Sequence, residues 1–336
     1  MSVVISFLRG DNARSIELHN GLILRNNSID LVKLIASFCV VSLHVGFYEH
    51  YPPIFGEIIR LSGRWAVPFF FIVSGYFIGL SRTEGKELVQ VVKVIKIFFI
   101  SSLIFSPLLF VLKSNISIIG FFRTGTWFHL WFLSSLIIGL VFFWLVRKYA
   151  KNALVPLSIL SIILYAIFDV QAYIPDSNSY FSSMHSFIRH SISFPFIVIG
   201  YHLSKNDRFK WNGWLFSLAL IAYFIEPFLF NSLLGSIVEQ RQFPLATVFV
   251  TICIFMFCLK SKPKESKFSE YGRKYSLGIY IIHPIVLAVF SLSFAKVGFE
   301  KNSLILLFLG FLFSLLLMML IEKFTPKMYR VLNGDF

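Results

Sequence analysis

Of the 336 residues, 57% are hydrophobic and 14% charged, with a mean hydropathy of +0.76. That excludes a soluble globular domain, in which the charged share stands nearer a quarter, and makes lipid the expected solvent. The net charge of +14 is spread between apolar runs and not gathered into a basic domain, so it indicates membrane topology and no nucleic-acid partner.

In chain order, Met1 to Leu8 is apolar but too short for a signal-peptide core, and Arg9, Asp11 and Arg14 follow at once. Residues 1–27 are expected to be a cytoplasmic tail, 28–322 a single membrane domain and 323–336 a cytoplasmic C-terminal tail. Ten segments carry enough apolar residues to be candidate spans: 28–48, 65–80, 88–112, 130–146, 153–168, 191–203, 213–230, 243–259, 275–295 and 303–321. The expected fold is all-α, a polytopic membrane bundle of about ten helices. Most of the 31 Lys and Arg fall in alternate connections if both termini are cytoplasmic, as the preference of positive loops for that side requires.

Ionisable residues inside such segments are costly, so each is a candidate site residue. Lys33 and His44 share the first segment. Eleven residues at about 100° each end about 20° past three turns, on one helix face, about 16 Å apart along the axis. Lys33 is open to two readings, a snorkelling cation or a site charge; His44 is either a hydrogen-bond donor to a neighbouring helix or a reactive imidazole.

The second segment opens at Arg64, an interfacial anchor or a site residue, and runs to Ser74-Gly75-Tyr76, where the small pair permits close helix contact. His129 and Trp131 begin the fourth segment at the headgroup level; an aromatic belt explains the Trp but not the His. Glu226-Pro227 lies in the seventh. The loop 260–274 holds Lys260, Lys262, Lys264, Lys267, Arg273 and Lys274, which suits anionic headgroups or a polyanionic cytoplasmic donor equally well. The ninth segment reaches His283-Pro284, where the proline frees a backbone carbonyl beside the imidazole.

Cys39, Cys253 and Cys258 all sit in apolar runs, which gives neither a disulfide framework nor a metal site. No Gly-x-Ser-x-Gly elbow and no phosphate-cradling Gly-rich loop occurs.

Four blocks together resemble the acyltransferase type 3 family of integral membrane acyltransferases, and in particular its small stand-alone bacterial surface-glycan O-acetyltransferases. They are Ile29-Asp30-Leu31-Val32-Lys33 running to His44, Arg64 with Val67-Pro68-Phe69-Phe70 through Ser74-Gly75-Tyr76, His129-Leu130-Trp131-Phe132, and Ser276-Leu277-Gly278-Ile279-Tyr280 ending in His283. Lys33 stands where the family pattern has Arg, keeping the charge but losing the planar fork that grips phosphate or carboxylate. The resemblance implies acetyl-coenzyme A as donor and no metal. The implied acceptor is a sugar hydroxyl of a surface polysaccharide (O-antigen, capsule, exopolysaccharide or common antigen) or of its lipid-linked precursor. The implied location is the bacterial cytoplasmic (inner) membrane.

On that basis His44, His283 and Arg64 are expected to be catalytic. Lys33, Arg273 and Lys274 are expected to bind the donor, and Ser74, Gly75, Tyr76, His129, Trp131 and Glu226 to hold the acceptor or form the structural motif. His283, in the cytoplasmic half, is expected to handle the donor, and His44 to serve as the base. A glycan transporter or flippase is the alternative, with a non-catalytic subunit of an assembly complex behind it.

Overall fold

The computed structural model describes residues 26–81, 85–112, 116–206, 211–261 and 263–334, without the side chains of 110–112. The expected N-terminal tail up to residue 25 and Lys262 of the basic loop lie outside the described residues. Fourteen α-helices and no strand occur among the described residues: α1 (Asn27–Ser42), α2 (Pro53–Ser62), α3 (Ala66–Leu80), α4 (Lys86–Leu112), α5 (Ile118–Thr124), α6 (Trp131–Tyr149), α7 (Leu154–Ala172), α8 (Ser179–Ile188), α9 (Ser193–Lys205), α10 (Gly213–Leu234), α11 (Thr247–Lys260), α12 (Lys267–Lys296), α13 (Ser303–Phe324) and α14 (Pro326–Leu332).

A helix stands at each of the ten expected segments. Among the described residues, seven stretches are long and apolar enough to cross a membrane: Pro53–Leu80, Lys86–Leu109, Phe128–Tyr149, Lys151–Ala172, Gly213–Leu234, Lys267–Lys296 and Ser303–Phe324. At 16, 13 and 14 residues, α1, α9 and α11 reach only about 20–24 Å at 1.5 Å per residue, short of the roughly 30 Å hydrocarbon core. Helix length alone therefore gives seven spans, not ten.

The first helix stops at Ser42, six residues earlier than its apolar run. Gly46 (φ 111°) and the buried Tyr48 (φ 59°) take left-handed backbone that a helix cannot accommodate, and the Tyr48 hydroxyl donates to the buried helix-end carbonyl of Ser42 at 3.0 Å. At the other extreme α12 begins eight residues before its apolar run, because Ser266 and Ser269 form a reciprocal cap there.

Small residues set the closest helix approaches. A Cβ at Gly75 of α3 would lie 2.0 Å from the Ile197 carbonyl oxygen of α9, and one at Gly200 of α9 2.1 Å from that of Ile72. The two helices thus touch backbone to backbone, as the Ser74-Gly75 pair implies. Helix α12 meets α1 the same way, with Gly272 against the Asp30 carbonyl, and Ser37 Oγ donates to Ser276 O at 3.4 Å.

The bundle has two ends. At one, Asn26 Nδ2 donates to Cys258 O and Ser28 Oγ to Ser261 O, and Arg147 pairs with Glu87 at 2.7 Å; Lys33 belongs to this end. At the other, Ile237 N donates to Tyr173 O and Ser303 Oγ to Val45 O; here lie His44, the loop 235–246 and the helix α8.

Candidate functional site

A cavity opens between α1, α3, α4, α6 and α12, enclosing about 820 Å3 of space between atoms, its mouth included. Its polar lining comes from Lys33, Ser74, Gln90, Arg273, Ser276, Tyr280 and Asn333, and Val40, Phe70, Val94 and Phe132 supply apolar wall. Lys33 is 4% exposed and pairs with Asp30 Oδ1 at 2.6 Å, so it is turned inward and does not snorkel to the lipid surface. Arg273 lines the same cavity and reaches Glu265 at 3.3 Å.

Lys274, its neighbour in sequence, points elsewhere. It pairs with Glu270 at 3.0 Å and Glu322 at 3.2 Å and is not part of the cavity wall, because adjacent helical residues project about 100° apart.

At the inner end of the cavity Tyr280 donates to the His129 carbonyl at 2.5 Å and fixes the single turn Phe128–Leu130. That turn points the His129 ring inward, where it is 1% exposed. It meets the His283 ring edge-on at 5.6 Å between centroids, and neither of its nitrogens has a hydrogen-bond partner. The His44 ring stacks on His283 at 5.0 Å and 11°. Three imidazoles from distant parts of the chain therefore converge, and the expected division of His44 from His283 along the membrane normal does not hold: they are one pair.

The His283-Pro284 sequence explains the state of that pair. Proline has no N–H to return to the Tyr280 carbonyl four residues back. His283 Nδ1 takes up that carbonyl at 2.8 Å, and Ile279 O at 3.1 Å. Carbonyls only accept, so Nδ1 carries the proton and Nε2 keeps its lone pair. Nε2 is buried with no partner, which leaves a basic nitrogen aimed into the site.

Arg60, absent from the sequence candidates, holds the turn that carries His44. It donates from Nη1 to Gly46 O at 2.8 Å and Leu43 O at 3.3 Å, and from Nε to Glu239 O at 3.0 Å, with its guanidinium 4.4 Å from the Phe47 ring centre. Arg64 donates to the same Glu239 carbonyl at 3.3 Å.

Gly75, Tyr76, Trp131 and Glu226 are not part of the cavity wall. Gly75 sits in the α3–α9 contact, and Tyr76 packs its ring on Phe255 at 5.1 Å. Trp131 lies under Arg189 at 4.6 Å, outside the cavity wall. Glu226 accepts from the backbone N–H of Leu245 at 2.7 Å and Ala246 at 2.8 Å, at the start of α11, where a carboxylate meets the positive helix end. Among the described residues no three His, Cys, Asp or Glu side chains are placed to hold one metal ion between them.

Residues 26–323 match the family model described as an acyltransferase domain, acyltransferase type 3. The chain belongs to that family. With its apolar helices this makes it a multi-pass membrane protein of the acyltransferase type 3 family. Two curated relatives are similar: an amino-acid racemase of Enterococcus faecalis, 26% identical over 90% of this chain and 47% of its own length, and a serine/alanine racemase of Enterococcus gallinarum, 23% identical over 84% of this chain and 44% of its own. The chain spans about half the length of these relatives. No solved structure matches it.

Proposed function

We propose that the protein is an O-acetyltransferase that takes acetyl groups from cytoplasmic acetyl-coenzyme A and places them on a sugar hydroxyl of a bacterial surface polysaccharide or its lipid-linked precursor. The observation that carries this reading is the cavity running from Lys33 and Arg273 to Tyr280, with the paired imidazoles of His283 and His44 beyond it. A cationic mouth suits the nucleotide phosphates of the donor, and a narrow apolar passage suits the pantetheine arm that carries the thioester.

From the sequence, the base is expected at His44 and donor handling at His283; the fixed tautomer of His283, with Nε2 free, favours His283 as the base instead. Nε2 takes the proton of the acceptor hydroxyl as that oxygen bonds to the acetyl carbon; the carbon–sulfur bond then breaks, and the leaving thiolate recovers the proton. His44, on the face toward Arg60 and Arg64, meets the acceptor hydroxyl. The unpartnered nitrogens of His129 leave that ring able to donate to the developing oxyanion.

The test is acetyl transfer in membranes supplied with labelled acetyl-coenzyme A, alongside the surface glycan of a deletion strain. Loss of base-labile acetyl ester from the glycan is the expected result. A glycan of unchanged composition that fails to reach the surface would instead establish transport. The orientation is read separately, by impermeant labelling of single cysteines: Lys301→Cys is expected to react from outside the cell and Lys264→Cys only after permeabilisation.

A further inference from the structure

Beyond the histidines, at the end of the bundle away from Lys33, one short loop gathers four arginines and the fold gives them unequal partners. Arg241, wholly buried, has two carboxylates: Asp169 at 2.6 Å and Glu226 at 3.4 Å. Asp169 is further satisfied by His185 at 3.1 Å and the Gln242 N–H at 2.9 Å. Arg241 thus has its counter-charge inside the protein, although its Nη1 has no hydrogen-bond partner.

Arg60, Arg64 and Arg189 receive only neutral acceptors. Arg60 and Arg64 share the carbonyl of Glu239; Arg189 has the side-chain oxygen of Gln242 at 3.5 Å and the Trp131 ring. Among the described residues no carboxylate comes within ion-pair distance of any of the three, whereas Arg147 has one and Arg241 two. The Glu239 carboxylate acts on Arg60, and the Asp169 carboxylate on Arg64, only from beyond that distance. Both Arg64 and Arg189 keep a buried Nε with no partner.

The two belong to one place. Glu239 and Gln242, which hold them, are three residues apart, a span of at most about 11 Å. The Tyr173 hydroxyl, which accepts from Gln242 Nε2 at 2.5 Å, lies within the electrostatic reach of both guanidiniums. The charge of Arg64 also reaches the His44 ring, so the site adjoins the imidazole pair.

A guanidinium taken out of water without a counter-charge costs several kcal/mol, and its planar fork is built for a carboxylate or phosphate. A fold that satisfies Arg241 twice over and leaves Arg64 and Arg189 without an anion next to the reactive imidazoles lacks an anion that a ligand can bring. We propose that Arg64 and Arg189, with Tyr173, bind an anionic group of the acceptor, so that the acceptor is an acidic sugar or a sugar phosphate and not a neutral glycan. This deepens the reading of the chain as a glycan acyltransferase and rests on it for the word acceptor, but the anion site itself can be measured without acetyl transfer.

The experiment is a tryptophan-fluorescence titration of the full chain in lipid nanodiscs, without acetyl-coenzyme A, using methyl glucuronoside, glucose 1-phosphate and methyl glucoside; Trp131 under Arg189 is the reporter. At least one of the two anionic sugars is expected to bind about tenfold or more tightly than the neutral one. Glucuronoside alone points to a carboxylate-bearing glycan, glucose 1-phosphate alone to the phosphate of a precursor. Arg189→Gln and Arg64→Gln are each expected to lose that preference, with Arg189→Lys retaining part of it and Lys205→Gln, at the other end of the bundle, retaining all. Equal affinity for the three sugars, no saturation by any of them, or a preference that survives both Gln variants overturns the proposal. The wild-type comparison stands even if a variant does not fold. Acetyl transfer that fails while the anion preference holds would sink the enzymatic reading and not the site.

Discussion

The two ends of this bundle use charge in opposite ways. At the Lys33 end several cations have a carboxylate beside them: Lys33 with Asp30, Arg147 with Glu87, Arg273 with Glu265 and Lys274 with Glu270 and Glu322. Among the four arginines described at the loop of the His44 end, Arg241 is neutralised, while Arg60, Arg64 and Arg189 lean on carbonyls, an amide and a ring. A paired cation loses little when no ligand is bound and can trade its partner for donor phosphates. An unpaired one raises the cost of the empty state and rewards an anion that arrives. Between them lies a histidine pair in which Pro284 frees the carbonyl that sets the His283 tautomer.

If chemistry lives between the ends, the largest effect belongs there. His283→Ala is expected to lower acetyl transfer about 10²- to 10⁴-fold, the usual worth of a positioned general base, with the protein still inserted and abundant; His44→Ala is expected to fall in the same range. Initial rates against labelled acetyl-coenzyme A at equal protein check this. A His283→Ala enzyme with more than a tenth of the activity would move the base to another group.

The next largest effect is mechanical. Gly75→Val puts branched carbon into the Ile197 carbonyl, where the α3–α9 contact has no room, and overpacking of that kind costs about 1–3 kcal/mol. A lower melting temperature in detergent is expected, with the histidine pair displaced and the rate reduced through folded fraction and not through the Michaelis constant. An unshifted melting temperature would mean that the two helices separate without cost.

At the Lys33 end the effect should be on donor affinity. Lys33→Ala is expected to raise the Michaelis constant for acetyl-coenzyme A roughly tenfold, as loss of one charge-assisted contact does, and Lys33→Arg to restore or improve it by supplying the fork. Because Lys33→Ala also leaves Asp30 buried without its cation, the Arg variant separates donor binding from stability. Unchanged kinetics for Lys33→Ala would remove the donor from this cavity.

Much of the architecture was legible in the apolar runs, because a lipid-facing helix must be apolar along its length: helices stand at all ten expected segments, and the Ser74-Gly75 pair foretold the tight contact with α9. The short helices were not legible as spans. Residues 53–62 and 179–188 offered only local signals, Pro53 at a helix start and Asn178 as a cap. The meeting of His44, His129 and His283 could not be read from spacing, since it depends on where α1 ends and on how Tyr280 grips the turn before α6. His283-Pro284 was the exception: the freed carbonyl was visible in the sequence, and its use by the imidazole followed from the same covalent fact. Arg60 gave no signal beyond its charge in a connecting segment.

The smallest expected effect is the sharpest test of the comparison. Arg273 and Lys274 are adjacent in the basic loop and helix start, and composition alone makes them equal candidates for the donor phosphates. Their directions differ: Arg273 faces the cavity beside Lys33, while the Lys274 ammonium sits between Glu270 and Glu322, and Tyr275 also donates to Glu322. Partly exposed pairs of this kind are worth about 0–1 kcal/mol, so Lys274→Ala should shift the melting temperature slightly and leave acetyl-coenzyme A dependence within about twofold of wild type. Arg273→Ala should instead raise the Michaelis constant, as Lys33→Ala does. If the two alanine variants weaken the donor equally, attraction by the basic surface as a whole governs binding and the cavity wall does not. Repeating both titrations at high salt decides it, because a diffuse surface field is screened beyond about 10 Å at ordinary ionic strength, while direct contacts inside the cavity are screened far less.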